Sequence, residues 1–119
     1  MTVERLDPVD RSGDISIVLT TLPDAESGEV LVRTLLSESL IACGNLVPNV
    51  ISIFRWEGQV VREREVIVIL KTTSASIDQL FSRITELHAY SVPEVVELPV
   101  GALARTYGDW VRDSAKVSV

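Results

Sequence analysis

The run over residues 53–72 constrains this chain more than any other stretch. It reads as one long β-hairpin turning at Glu57-Gly58-Gln59, and its two ends differ in character. The base, residues 66–70, is apolar without a break. The tip, residues 56–65, mixes an aromatic residue with charges at successive positions, so both pleat faces carry polar groups. A strand of that kind has no ordinary core to join; it is solvated or made for another chain.

The remaining elements follow from periodicity and punctuation. Residues 15–21 are a strand rich in β-branched side chains. Pro23-Asp24 starts a helix over residues 25–42, with Leu31, Val32, Leu35, Leu36 and Leu40 at helical spacing and Gly44 as its stop. Residues 46–57 form a second strand interrupted by Pro48, which marks an edge or a bulge. Residues 60–72 form the third. Ser76-x-x-Gln79 has the capping-box pattern ahead of a stripe of Ile77, Leu80, Phe81, Ile84 and Leu87. Residues 95–100 are a short fourth strand, and Leu103, Tyr107 and Trp110 space as a small last helix. Residues 1–13 carry charges, Pro8 and Gly13 without a period and read as a flexible N-terminal arm, leaving 14–119 as the folded domain.

The order β-α-β-β-α-β plus a C-terminal helix predicts an α+β fold of ferredoxin-like, split β-α-β type. Its sheet is antiparallel, with both main helices on one face. Yet the first and third strands are apolar on both faces: Ile15, Ile17 and Leu19 alternate with Val18, and Ile67 and Ile69 alternate with Val66, Val68 and Leu70. Burying such a side chain is worth roughly 1.5–3 kcal/mol. Soluble monomers seldom expose a contiguous patch of them. The second face is therefore expected to be covered by copies of the same chain.

At 119 residues the chain is one domain with room for a single core. A net charge of −6 argues against a nucleic-acid partner, since phosphate binding needs a Lys/Arg surface. No run approaches the roughly 20 apolar residues of a membrane span, so no membrane partner is expected. The start of the chain lacks a basic-then-apolar signal, and one cysteine forms no internal disulfide; the expected compartment is cytoplasmic.

Several motifs then fall in a recognisable order: Ala42-Cys43-Gly44-Asn45-Leu46-Val47-Pro48, Ser52-Ile53-Phe54-Arg55-Trp56-Glu57-Gly58, Glu63-x-Glu65 and Leu70-Lys71-Thr72. His88-x-Tyr90-x-x-Pro93-Glu94, Leu98-Pro99-Val100 and Tyr107-x-x-Trp110 follow. Over residues 15–113 the chain resembles the CutA divalent-cation-tolerance family. The resemblance implies a ferredoxin-like subunit in a tight homotrimer, with the long hairpins bridging subunits. It also implies a link to tolerance of copper and other divalent cations in bacteria, and it brings no reaction with it. The family's fold and trimer resemble those of PII-type signalling proteins, which gives an alternative: a signal-effector trimer holding a small ligand in inter-subunit clefts. Two positions depart from the pattern. Some bacterial members have a cysteine where this chain has Thr20, and some have paired histidines where it has Leu87-His88.

His88, the only histidine, is the first candidate metal ligand; the plainer reading is a helix-terminal residue meeting the last carbonyls. Cation sites need three or four donors, so adjacent chains of a trimer would have to contribute, with Glu94, Glu63 or Glu65 as candidates. Cys43 reads as a small buried hydrophobe or as a soft ligand for copper. Phe54 and Trp56 share a strand face and read as interface packing or as the wall of an inter-subunit cleft that Lys71, Tyr90 and Glu94 would also line. Asp109-x-x-Arg112 reads as a solvated i, i+3 pair. No Gly-rich phosphate loop and no Ser/His/Asp order is present, so no catalytic residue is assigned and no enzyme is expected.

Overall fold

The computed structural model describes residues 8–116. In chain order its elements are β1 (Val9–Asp10), β2 (Ile15–Leu22), α1 (Ala25–Ser37), β3 (Cys43–Trp56), β4 (Gln59–Thr73), α2 (Ile77–Leu87), β5 (Val96–Pro99), β6 (Leu103–Ala104) and α3 (Arg105–Ser114). The main sheet is antiparallel with strand order β3-β4-β2-β5, and β1 and β6 form a separate two-stranded ribbon. The α+β, split β-α-β architecture is thus the one expected.

The even-numbered residues of β2 and β4 face the helices. Val18, Leu22, Val66, Val68 and Leu70 pack with Leu31, Val32 and Leu35 of α1 and Leu80 and Ile84 of α2 in one buried cluster. Asp24 starts α1: its carboxylate accepts the Ser27 N–H at 2.8 Å, satisfying one of the unpaired donors of the first turn. The odd-numbered face is different. Ile15, Ala42, Val111 and Ala115 form a small second cluster where α3 crosses its end. Beyond that cluster Ile17, Leu19, Ile67 and Ile69 are only half-buried, and Val96 and Leu98, their neighbours on β5, are 44% and 45% exposed.

The hairpin is long because β3 and β4 outrun the other strands. Leu22 of β2 pairs with Val66, while β3 and β4 continue together from Val50 and Glu65 to Trp56 and Gln59. The register breaks between Val47 and Val50, at Pro48 and the positive-φ Asn49, on an edge strand as proline requires. Glu57 and Gly58 take φ of 50° and 78°, the consecutive left-handed pair of a tight hairpin turn.

Four local expectations are corrected. Helix α1 ends at Ser37, not at residue 42: Ser39 turns left-handed at φ 58°, and Leu40, Ile41 and Ala42 are buried in the descent to β3. Gly44 is accordingly a strand residue. The capping box does not form, because the Ser76 hydroxyl bonds the Thr73 hydroxyl at 2.9 Å within a 3₁₀ turn, Ser74–Ser76. Helix α3 packs through Gly108 and Val111, leaving Tyr107 and Trp110 exposed against each other, and Leu103 belongs to β6. Within the segment read as an arm, Val9 and Asp10 pair with Ala104 and Leu103, and Asp10 is buried. Residues 1–7 of that arm and 117–119 of the domain lie outside the described residues.

Candidate functional site

Strand β5 pairs with β2 only over residues 16–19, so the edge of β2 from Thr20 onward has no strand beside it. The chain leaving α2 fills that gap. His88, extended at φ −73° and ψ 143°, turns out of the helix and sets its Nε2 3.0 Å from Thr20 Oγ1. Its Nδ1 accepts the backbone N–H of Tyr90 at 3.1 Å. An acceptor at Nδ1 puts the proton of the neutral ring on Nε2, which donates to the Thr20 hydroxyl. Burial holds the imidazole below its ordinary value of 6.5, against the opposing pull of the Thr21 backbone and the Glu65 charge.

Tyr90 lies beside this ring, centroids 5.2 Å apart, and its hydroxyl donates to Glu65 Oε2 at 2.8 Å. Burial first, then the Glu65 carboxylate, push the phenol well above its usual range. Glu65 is only 6% exposed and Thr20 is fully buried. Four polar groups from three distant segments thus close on one another at the root of the hairpin. Glu65, His88 and Tyr90 were singled out in the sequence; Thr20 was noted there only as a ligand the chain lacks.

This cluster does not fit a divalent cation within one chain. Both ring nitrogens of His88 are engaged. Among the described residues no group of three or more His, Cys, Asp or Glu side chains is placed to hold a metal ion. Cys43 sits elsewhere, at the base of β3, its Sγ 3.8 Å from Asn45 Oδ1, and the Lys71 ammonium donates to the same oxygen. Glu63 and Glu94 are exposed.

The residues proposed to line one cleft are also dispersed in a single chain. Gln59 (opposite Trp56), Glu65 (bonded to Tyr90) and Lys71 succeed one another along β4 at six-residue steps, about 20 Å each. A groove of about 350 Å³ between the start of α1 and the end of α2, lined by Leu22, Asp24, Val30, Leu31 and Leu87 among others, contains none of them.

One cluster went unread in the sequence. The Arg112 guanidinium reaches Asp10 Oδ2 at 2.5 Å, Asp14 Oδ2 at 2.8 Å, Ser12 Oγ at 2.8 Å and Asp109 Oδ1 at 3.0 Å. The i, i+3 spacing showed only the last of these partners; the others are about a hundred positions away and carry no local signal.

The sequence model described as CutA1 divalent ion tolerance protein matches residues 16–114. The divalent-cation tolerance protein CutA of Thermus thermophilus is 41% identical over 98 residues, covering 82% of this chain and 95% of that protein. Protein CutA 1, chloroplastic, of Oryza sativa subsp. japonica is 36% identical over 102 residues; the match covers 86% of this chain and 58% of the rice protein. The solved structure of CutA from Synechococcus elongatus superposes with a TM-score of 0.88 at 29% identity, covering 92% of this chain and 96% of that one.

Proposed function

The chain belongs to the CutA1 divalent ion tolerance protein family, and from that premise we propose that it serves divalent-cation tolerance as a homotrimer that catalyses no reaction. The open sheet face carries this reading. Ile17, Leu19, Ile67 and Ile69 with Val96 and Leu98 make one continuous apolar surface that the helices of the same chain do not reach. Removing that area from water is the driving force for association. The commitment of both His88 nitrogens to hydrogen bonds supports the absence of a general base there. Light scattering on the purified protein tests the reading: the expected mass is three times the 13.1 kDa of the chain. Ile69→Glu, which sets a charge in the middle of the face, is expected to give folded monomer. A wild-type particle of one chain mass would overturn the proposal.

For copper or another divalent cation we place the site between copies, His88 giving up its Nε2 bond to Thr20 and joining Glu63 or Glu94 of a neighbour, because the described residues of one chain bring no three such donors together. Calorimetric titration with Cu²⁺ should show saturable binding that His88→Ala removes; an unchanged isotherm would exclude His88. The cytoplasm is the proposed compartment, supported by a single cysteine that is free. Among the described residues no helix is long and apolar enough to cross a membrane.

A further inference from the structure

The groove between the start of α1 and the end of α2 lies on the helical side of the sheet, away from the open face. Its floor is apolar. Leu22 and Leu31 are buried beneath it, while Val30 and Leu87, on its two walls, are 60% and 39% exposed. One turn on from Thr34 is Glu38, and one turn back from Leu87 is Arg83. The Arg83 guanidinium donates to both carboxylate oxygens of Glu38 at 2.7 to 3.1 Å, and this ion pair closes the groove at one end. The α1 wall from Asp24 to Thr34 is about 15 Å long at the helical rise per residue.

Every polar group around the groove is an acceptor. Asp24 and Glu26 bring two carboxylates, and among the described residues no Lys or Arg lines it. The Ser27 and Thr34 hydroxyls donate to the Asp24 and Val30 carbonyls, which leaves their own lone pairs to a ligand. The end of α2 adds to this. Helices α1 and α3 are closed by the backbone N–H groups of Glu38 and Ala115. His88 instead leaves α2 extended, and among the described residues no following N–H turns back onto its last carbonyls. The last turn also carries no basic side chain. The negative pole of α2 therefore opens uncapped beside Leu87 and Ala89. The positive pole of α1 opposes it and is offset by Asp24 at the N-cap and Glu26 in the first turn.

We propose that this groove binds a small organic cation, a protonated amine carrying an apolar body. The body covers Val30, Leu31 and Leu87; the ammonium meets Asp24, Glu26 and the last carbonyls of α2. Charge complementarity selects that occupant. An ammonium has three donors and no acceptor, which matches a rim made only of acceptors. An anion would face two carboxylates and no cationic side chain. A bare metal ion would find fewer carboxylates than it needs and leave the apolar floor wet. The volume of about 350 Å³ and the closed end suit a small molecule rather than a helix laid through the groove. The site is separate from His88 and from the open face, so it stands whether or not the chain is a homotrimer.

The test is amide NMR of the full chain, titrated at constant ionic strength with hexylammonium, hexanol and hexanoate. Hexylammonium should give saturable shifts at Ser27, Val30, Thr34 and Ala89. Hexanol, with the same tail and no charge, should bind about tenfold or more weaker, and hexanoate should give no shifts there. Asp24→Asn/Glu26→Gln keeps a good N-cap and removes both charges; it should weaken hexylammonium by about tenfold or more. Leu87→Lys sets an ammonium of the chain itself on an exposed wall and should abolish the shifts. It also serves alone if the first variant does not fold by circular dichroism. Shifts that never saturate and spread over the acidic surface would mean cations gathered by net charge, and would overturn the site. Equal affinity for hexanol and hexylammonium, or unchanged binding in the variants, would overturn it as well. A basic amphipathic peptide that shifts these amides where hexylammonium does not would assign the groove to a protein partner instead.

Discussion

Tyr90 donates its phenolic hydrogen to Glu65 Oε2 at 2.8 Å, tying the loop after α2 to the point where β4 leaves the sheet. Glu65 has no strand partner on the β2 side, because the pairing with β2 stops at Val66. Tyr90→Phe keeps the ring and removes the donor. It leaves a buried carboxylate short of one hydrogen bond, at a cost of roughly 1–3 kcal/mol. Urea denaturation should show the midpoint lowered with an unchanged slope. No loss of stability would mean that water replaces the hydroxyl freely.

The neighbouring His88 gives a pH prediction. Its folded-state value lies below 6.5, chiefly because burial disfavours the charged ring. The unfolded chain therefore binds the proton first as pH falls. The contribution of His88 is complete above 6.5 and is lost as pH drops through that value toward the folded one, below which it is gone. Melting temperature should decline between pH 7 and pH 5, and His88→Asn should flatten that part of the curve. An imidazole that titrates at or above 6.5 by NMR would contradict the burial argument.

Gly44 shows where local patterning ran out. It was read as the stop of a helix, yet it lies in β3, where an added Cβ would come within 2.7 Å of both Val32 methyl groups. The glycine is there so that α1 can pack closely on the sheet, a tertiary demand without a sequence period. Gly44→Ala should cost about 1–3 kcal/mol through this overpacking, measured by chemical denaturation. Val32→Ala in the same chain should recover part of the loss; additivity of the two changes would rule the contact out.

The hairpin and its alternation were legible because period-2 patterning and the Glu57-Gly58 turn are local signals. So were most of the stripes of α1 and α2: Leu31, Val32, Leu35, Leu80 and Ile84 are buried, whereas Leu36 and Leu87 of the same stripes are exposed. The polar cluster was half legible. His88 and Tyr90 stood out by residue type, but the bond from His88 to Thr20 spans 68 positions and nothing in the sequence pairs them. The helical spacing of Leu103, Tyr107 and Trp110 located α3 but not its packed side, where Gly108 allows the approach and Val111 fills it.

Arg112 is expected to control the order of the N-terminal ribbon. Its hydrogen bonds are the first cause of the lowered value of Asp14, and the Ser12 hydroxyl first, then Arg112, hold Asp10 well below the usual carboxylate range. Carboxylates depressed in the fold contribute stability above their ordinary value of 3.8 and lose it as pH falls through the folded one. Arg112→Ala should shrink that acid-dependent loss and speed hydrogen exchange at the amides of β1 and β6, with exchange in the main sheet unaltered. Uniformly faster exchange would mean that the cluster supports the whole fold.

Thr20 offers a direct test of whether the pocket beside His88 can hold a copper ion. Its hydroxyl sits 3.0 Å from His88 Nε2, and the buried Glu65 carboxylate acts on the same ring. A thiolate is a far better ligand for copper than a hydroxyl, and it would face an imidazole nitrogen already in place. Thr20→Cys should therefore bind Cu²⁺ more tightly than wild type by at least about tenfold, which is about 1.4 kcal/mol. A sulfur-to-copper charge-transfer band should accompany binding, and Thr20→Cys/His88→Ala should lose both. The band distinguishes a formed site from cations gathered by the acidic surface, which produce none. Thr20→Cys that folds normally and titrates like wild type would show that the Thr20–His88 pair lies too deep for an ion to reach.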